Sequence, residues 1–268
     1  TSETFINEIS EIKYATNYVI SPDLNIRSRR YWTPTCSINE SIAIEDAIEG
    51  ARHHLLESVR IRLRADVPLA FCLSGGVDSA SLVSIAANYF NYDVASFSII
   101  DSDERYNEYD NIKSTVEHTG CECTYIELSY DNVLPRLQKL IAYHDAPVAT
   151  ITYFVHSMLS EKIAESGYRV AFSGTSADEI FTGYYDHFLL HLNSVRNSEN
   201  YSNHLNNWQE HLSPFVRNPI LKNPKLYIEK PNYRKHVYDS SDEFRTYLKV
   251  PFNEQFYEEI YTDNLLRN

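Results

Sequence analysis

Residues 74–79, with the sequence Ser-Gly-Gly-Val-Asp-Ser, combine residue types suited to binding a phosphorylated ligand. They follow an apolar run at 69–73 that predicts a buried strand, and they precede a helical pattern at 80–89. Two adjacent glycines let an anion approach the backbone, and the N-terminus of the next helix favours negative charge. Ser74 and Ser79 add hydroxyl donors, so the segment predicts a phosphate-binding loop between a strand and a helix.

Asp78 is the residue of this loop that a phosphate would repel. A divalent cation between the two groups removes the repulsion, so we interpret Asp78 as a Mg²⁺ ligand. Two better-known phosphate loops do not fit, because one ends in Gly-Lys-Ser/Thr and the other needs three spaced glycines. A glycine turn followed by a helix cap is the alternative without function, and the strand–loop–helix context disfavours it.

Residues 173–184, Ser-Gly-Thr-Ser-Ala-Asp-Glu-Ile-Phe-Thr-Gly-Tyr, form a second stretch suited to nucleotide chemistry. They follow a predicted strand at 168–172, and Gly174 would let the backbone approach a nucleotide. Asp178, at the start of a predicted helix, is a candidate second Mg²⁺ ligand across from Asp78. The alternative is that Asp178 simply favours the helix N-terminus.

Strands and helices alternate along residues 37–196, which predicts an α/β fold: a parallel twisted sheet with helices on both faces. Ligands bind such sheets beyond the carboxyl ends of the strands, where the strand order reverses. We therefore expect both glycine loops to lie over one ligand. The strands are predicted at 69–73, 93–100, 123–128 and 168–172, and the helices from Ser37 and at 107–119, 131–143 and 152–166.

Composition divides the chain into a peripheral segment at 1–36, a central domain at 37–196 and an irregular, incomplete helical region at 197–268. The first helix is expected to start with a capping box, Ser37-x-x-Glu40. Its apolar residues share one face at helical spacing. They are Ile44, Ile48, Ala51, Leu55, Val59 and Leu63.

A net charge of −13 and a pI near 5.2 disfavour nucleic acid and acidic membranes as partners. We find no apolar run of about 18 residues and no signal-peptide pattern. The four cysteines form no disulfide framework, so we expect reduced thiols in the cytoplasm. His187-x-x-x-His191 has metal-ligand spacing without an evident third ligand, which favours ordinary surface histidines.

Residues 74–79 resemble the pyrophosphate loop of the ATP-pyrophosphatase family. The wider pattern is similar to the synthetase domain of class B, glutamine-dependent asparagine synthetases, over about residues 44–191. The residues that carry this resemblance are Asp66-Val67-Pro68 through Ser79, Ser96-Phe97-Ser98, and 173–184.

The resemblance implies ATP and Mg²⁺ as cofactors and cleavage of ATP between its α and β phosphates. A substrate carboxylate, aspartate by default, would attack the α-phosphorus, and ammonia would then displace AMP. A glutaminase domain is expected in the full-length chain as the ammonia source. The implied nucleotide-binding residues are Leu73, Ser74, Gly75, Gly76, Asp78, Ser79, Ile99, Ser173 and Gly174, with Asp78 and Asp178 on Mg²⁺; Leu73 and Ile99 would hold adenosine partly through their backbones.

This chain departs from the family pattern at three positions of the second stretch. Thr175 replaces a glutamate implicated in catalysis, while Ser176 and Thr182 replace glycines. A threonine hydroxyl cannot act as a general base near neutral pH, so Thr175 favours a different acceptor or chemistry. The alternatives are an enzyme related to β-lactam synthetases, an enzyme amidating a surface-sugar carboxylate, or a nucleotide-binding module without turnover. Because Thr1 comes first and the glutaminase half and late lysine segment are missing, we expect a piece truncated at both ends.

Overall fold

The computed structural model describes residues 4–33, 39, 41–104, 106–148, 150–216 and 218–225. The chain forms two compact units, one of residues 41–182 and the other of 1–40 with 183–268. The candidate site residues all belong to the unit of 41–182. The division at 36/37 and 196/197 was based on composition and stays a prediction.

In the described residues the secondary structure begins with two strands, continues with both helices and strands as far as β6, and ends with helices. The strands are β1 (Thr16–Ile20), β2 (Ile26–Arg30), β3 (Leu69–Cys72), β4 (Ala95–Ile100), β5 (Glu122–Glu127) and β6 (Val170–Phe172). The helices are α1 (Ile44–Arg62), α2 (Val77–Ser84, continued by a π-helical turn at Ile85–Tyr89), α3 (Tyr109–Thr119), α4 (Val133–His144), α5 (Thr152–Glu165), α6 (Ala177–Phe181), α7 (Tyr185–Ser194) and α8 (Tyr201–His211).

A four-stranded parallel sheet in the order β5-β4-β3-β6 forms the centre of the 41–182 unit. From β3 the chain moves outward through β4 to β5, and it then returns to the opposite side of β3 as β6. The strand order therefore reverses between β3 and β6, which is where doubly wound sheets bind their ligands. The predicted parallel α/β fold is confirmed.

The central strand β3 is buried on both faces because its alternate side chains pack against helices on opposite sides. Leu69 and Phe71 join a core with Val83 of α2 and Ile112 of α3. Ala70 faces the other way and packs in a cluster that includes Ile163 of α5. The continuous apolar run of β3 is thus the sequence signature of a central parallel strand.

Helix α1 differs from its predicted amphipathic pattern. Val59 is buried, whereas Ile44 and Ile48 are 67% and 61% exposed, so only the C-terminal part of the apolar face meets the core. The helix begins at Ile44 after Ala43, which makes no side-chain cap hydrogen bond. The predicted capping box at Ser37 and Glu40 lies outside the described residues.

The unit of 1–40 and 183–268 contains a β-hairpin that the sequence did not predict. Strands β1 and β2 pair antiparallel from Thr16↔Arg30 to Ile20↔Ile26. Almost every residue of both strands is exposed. A strand without a buried face needs no alternation of apolar and polar residues, so its sequence lacks the pattern that predicts a strand. The hairpin lies within the segment at 1–36 that composition marked as peripheral, and that assignment stays a prediction.

Helices α7 and α8 share a small core in the same unit, with Leu189, Leu192 and Trp208 buried. His187 accepts a hydrogen bond at Nδ1 from the Gly183 N–H at 3.2 Å. His191 contacts the ring of His204, with ring centroids 5.1 Å apart. None of the described helices is both long and apolar enough to cross a membrane.

Candidate active site

The two glycine loops lie side by side at the carboxyl edge of the sheet. Strands β3 and β6 pair in register from Leu69↔Val170 to Phe71↔Phe172, so the chain leaves both strands at the same edge. A Cβ placed on Gly174 would lie 2.8 Å from the Ser79 nitrogen and 3.0 Å from the Asp78 carbonyl carbon. The loops are therefore in contact, and glycine is the residue that fits at position 174.

Side-chain oxygens accept the first three N–H groups of the 74–79 loop. Ser74 N donates to Ser79 Oγ at 2.9 Å, and Gly76 N donates to Ser74 Oγ at 3.2 Å. Gly75 N donates to Glu108 Oε2 at 2.9 Å. In this structure the hydroxyls of Ser74 and Ser79 shape the loop, and their predicted contacts with phosphate stay a prediction.

The next N–H groups, at Val77, Asp78 and Ser79, belong to the first turn of α2. The sequence predicted that the helix starts at Ala80, but it starts at Val77. Its first helical hydrogen bond runs from Ala80 N to Gly76 O at 3.2 Å, so the three preceding N–H groups have no acceptor within the helix. Together with the helix dipole they form a site suited to an anion.

Strand β4 extends past the end of β3 at the carboxyl edge of the sheet. Leu73 N donates to Phe97 O at 2.9 Å, which closes the pairing of these two strands. Backbone groups of alternate residues in a parallel strand face the same neighbour, so those of Ile99 also face the β3 side, beyond its last strand residue. The Leu73 N–H is engaged in the sheet, so a backbone contact from Leu73 to a ligand would use its carbonyl oxygen.

The two candidate metal ligands occupy equivalent positions in their helices. Asp78 is the second residue of α2 and Asp178 is the second residue of α6, and both are half-buried. The Asp78 Cβ lies 3.1 Å from the Cβ position built on Gly174, and Ala177 N donates back to Gly174 O at 3.4 Å. Both aspartates therefore lie at the start of a helix that is preceded by one of two loops in contact with each other.

The donor set fits a metal bound to a nucleotide better than a metal bound by protein alone. Within the described ranges, no three His, Cys, Asp or Glu side chains are grouped so as to hold a metal. Mg²⁺ is commonly held by one or two carboxylates, with phosphate oxygens and water completing its octahedral shell. Asp78 and Asp178 would supply the two carboxylates of such a site.

The hydroxyl of Thr175 lies on the exposed part of the second loop. Its Oγ1 is 2.6 Å from Ser173 Oγ, and Thr175 N donates to the same Ser173 oxygen at 3.3 Å. The two side chains thus form a local turn. A hydroxyl in this setting can donate or accept a hydrogen bond but cannot remove a proton as a carboxylate would.

Two departures from the family pattern place non-glycine residues in backbone conformations that favour glycine. Ser176 has φ 77° and ψ 10°, and Thr182 has φ 65° and ψ 164°. The second combination is occupied almost entirely by glycine, and it is particularly unfavourable for a β-branched side chain. Both positions therefore have backbone conformations that glycine would adopt with less strain.

Replacing Thr182 by glycine should therefore stabilise the protein. Relief of backbone strain, on the order of 1–3 kcal/mol, exceeds the entropic cost of adding a glycine, about 0.5–1 kcal/mol. We expect a net gain of about 1 kcal/mol in the free energy of unfolding, measured by urea denaturation. Thr115→Gly, in the middle of α3, is the control and should lose about 0.5 kcal/mol. A loss of stability in both variants would contradict the strain at Thr182.

The structure reveals one loop contact that the sequence analysis missed, that of Glu108. This residue immediately precedes α3 and is 33 positions from Gly75 in the chain. The signal in the sequence was an acidic residue near the predicted start of a helix. Such a residue is usually explained by its favourable interaction with the helix dipole. Nothing local linked it to the phosphate loop.

A family model for asparagine synthase matches residues 50–264. This range covers most of the chain and includes both glycine loops. The chain belongs to the asparagine synthase family. This assignment agrees with the resemblance inferred from residues 74–79 and 173–184.

Three curated proteins match this chain at 24–28% identity. "Amidase chyE" of Penicillium rubens is 24% identical over 200 residues, covering 68% of this chain and 30% of that protein. "Asparagine synthetase [glutamine-hydrolyzing] 1" of Bacillus subtilis is 28% identical over 180 residues, covering 66% and 27%. "Putative asparagine synthetase [glutamine-hydrolyzing] 2" of Methanocaldococcus jannaschii is 27% identical over 221 residues, covering 82% and 39%. The chain thus spans between a quarter and two fifths of the length of these relatives.

Two solved structures of synthetases also match, at low similarity. The NH3-dependent NAD synthetase from Campylobacter jejuni gives a TM-score of 0.31 at 15% identity, covering 71% of this chain and 95% of that chain. The NMN synthetase from Francisella tularensis gives 0.32 at 13% identity, covering 56% and 59%. At this level of similarity neither structure determines the fold, which is assigned from the strand order β5-β4-β3-β6.

Proposed function

We propose that this protein is an ATP-dependent amide-forming ligase that activates a carboxylate as its adenylate. The observation that carries the proposal is the contact of two glycine loops at the point where strand order reverses. Each loop leads directly into a helix that has an aspartate at its second position. Membership of the asparagine synthase family supports the same chemistry.

Each group at the site has a definite task in this reaction. The N–H groups of Val77, Asp78 and Ser79 bind the β- and γ-phosphates, and backbone groups of Ile99 bind the adenosine. Gly174 lets the second loop approach the first closely, and Asp78 and Asp178 would be the residues that hold Mg²⁺. When bound, Mg²⁺ neutralises the charge that builds up on the departing pyrophosphate.

The reaction proceeds in two displacements. A carboxylate oxygen of the substrate attacks the α-phosphorus, the bond between this phosphorus and the bridging oxygen breaks, and pyrophosphate leaves with both electrons. Ammonia then attacks the acyl carbon, loses a proton, and AMP departs. Fixed N–H donors contribute mainly by stabilising negative charge as it develops in the first step.

Aspartate is the default acceptor, but a threonine in place of glutamate at position 175 favours a different acceptor. Residue 175 lacks the carboxylate that the family pattern has there. One alternative substrate is a larger carboxylate, such as one on a sugar. In another alternative, an amine within the substrate replaces ammonia, as in β-lactam formation. Glutamine hydrolysis by a separate domain is the proposed ammonia source. A cytoplasmic location stays a prediction.

The products formed from ATP test this proposal directly. The protein is incubated with ATP, Mg²⁺, ammonium and a panel of carboxylates that begins with aspartate, and all nucleotide and phosphate products are quantified. We expect AMP and pyrophosphate in equal amounts, with one carboxylate stimulating their release. Formation of ADP and phosphate would contradict attack at the α-phosphorus. Tight ATP binding without turnover for any carboxylate would favour a binding module, the second candidate that Thr175 supports.

A further inference from the structure

The residue Glu108 joins the start of α3 to the phosphate-binding loop. Its Oε2 accepts the Gly75 N–H at 2.9 Å. A Cβ built on Gly75 would lie 2.5 Å from the Glu108 Cβ and 3.1 Å from the Asn111 Cβ. The first turn of α3 therefore packs directly against the loop, and Gly75 is required for this approach.

The N–H groups of the loop divide into two sets. Those of Ser74, Gly75 and Gly76 donate to side-chain oxygens and define the shape of the loop. The N–H groups at 77–79 have no helical acceptor and are left to bind an anion. Within the first set, two acceptors are serines of the loop itself, and Glu108 is the acceptor supplied by another element.

The hydrogen bond to Glu108 matters because the loop contains two flexible glycines. Two successive glycines, Gly75 and Gly76, have more accessible backbone conformations than any other pair, so they lose more entropy when a ligand orders them. A hydrogen bond that holds the Gly75 N–H fixes the peptide plane between Ser74 and Gly75 before the ligand arrives. Binding then carries a smaller entropic cost.

We propose that Glu108 is a positioning residue that pre-organises the phosphate-binding loop through the Gly75 N–H, an inference that rests on the proposed ATP-binding function. The hydrogen bond, rather than the negative charge, is what acts. A glutamine amide oxygen can accept the same N–H at similar reach, whereas alanine cannot.

The test compares Glu108→Gln with Glu108→Ala, because both variants lack the charge and only the first keeps an acceptor. Affinities for magnesium pyrophosphate and magnesium ATP are measured by calorimetry. We expect the alanine variant to bind both probes about tenfold more weakly than the glutamine variant. Glu117→Ala and Glu117→Gln, within α3, are the matched controls and should bind alike, since Glu117 pairs only with the exposed Lys113 among the ion pairs of α3 described here.

Hydrogen exchange at the Gly75 amide provides a second readout that needs no ligand. We expect it to be faster in Glu108→Ala than in Glu108→Gln, with unchanged thermal unfolding midpoints. Equal affinities in the two variants, or tighter binding by the alanine variant, would overturn the positioning role. Failure of the wild-type protein to bind either probe would overturn the proposed function together with this inference. A difference in Gly75 exchange would then show the contact to be structural only.

Discussion

Replacing Gly174 by alanine should lower the free energy of unfolding by about 1–3 kcal/mol and weaken ATP binding at least tenfold. The added Cβ would lie 2.8 Å from Ser79 N and 3.0 Å from the Asp78 carbonyl carbon. These are backbone atoms of the first turn of α2, so no flexible side chain can move aside. The two loops must separate, which displaces Asp178 from Asp78.

Gly50→Ala is the matched control for this substitution. Gly50 lies within α1, and a Cβ added there meets nothing within 4 Å. It should raise the free energy of unfolding by about 0.5–1 kcal/mol, because alanine is the better helix former. Chemical denaturation and calorimetric titration with magnesium ATP measure both variants. A Gly174→Ala protein with wild-type stability and affinity would show that the loops are not in contact.

Replacing Asp78 by asparagine should weaken magnesium ATP binding by about a hundredfold and largely remove its dependence on Mg²⁺. The side chain keeps its size and one oxygen but loses the charge that holds the cation against the triphosphate. Without the cation, the four negative charges of ATP must be bound by backbone dipoles alone. Titrations with ATP at increasing Mg²⁺ concentrations measure the effect.

Asp110→Asn is the control for Asp78→Asn because Asp110 is also the second residue of a helix, α3. If the Asp78 carboxylate served only the helix dipole, both variants would lose the same few tenths of a kcal/mol in stability and neither would change ATP binding. Asp178→Asn should resemble Asp78→Asn in its Mg²⁺ dependence. An unchanged Mg²⁺ requirement in Asp78→Asn would remove the metal-binding role assigned to that residue.

The parallel sheet and its loops could be predicted from sequence because their signals are local. The apolar run of β3 is buried on both faces, and the glycines at 120 and 167 follow α3 and α5 with φ values of 66° and 90°. Strand, glycine loop and helix also follow one another directly in the chain at 69–84. Periodicity and turn chemistry are sufficient for features of this kind.

Other features could not be predicted, either because they join distant segments or because their local sequence carries no clear signal. The hydrogen bond from Gly75 to Glu108 joins segments 33 residues apart. The exposed hairpin of β1 and β2 lacks a hydrophobic pattern, because neither of its faces is buried. The strain at Thr182 is seen only in the backbone dihedral angles. Its one signal in the sequence was a threonine at a position where the family pattern has glycine.

The proposed chemistry requires a metal–nucleotide complex held between the loops at 74–79 and 173–179. Paramagnetic broadening of amide resonances by Mn²⁺ in place of Mg²⁺, with ATP present, tests it most directly. We predict that the resonances of both loops broaden together while those of α4 remain sharp, and that Asp78→Asn abolishes the effect. Broadening that leaves either loop unaffected, or that persists in Asp78→Asn, would contradict the claim.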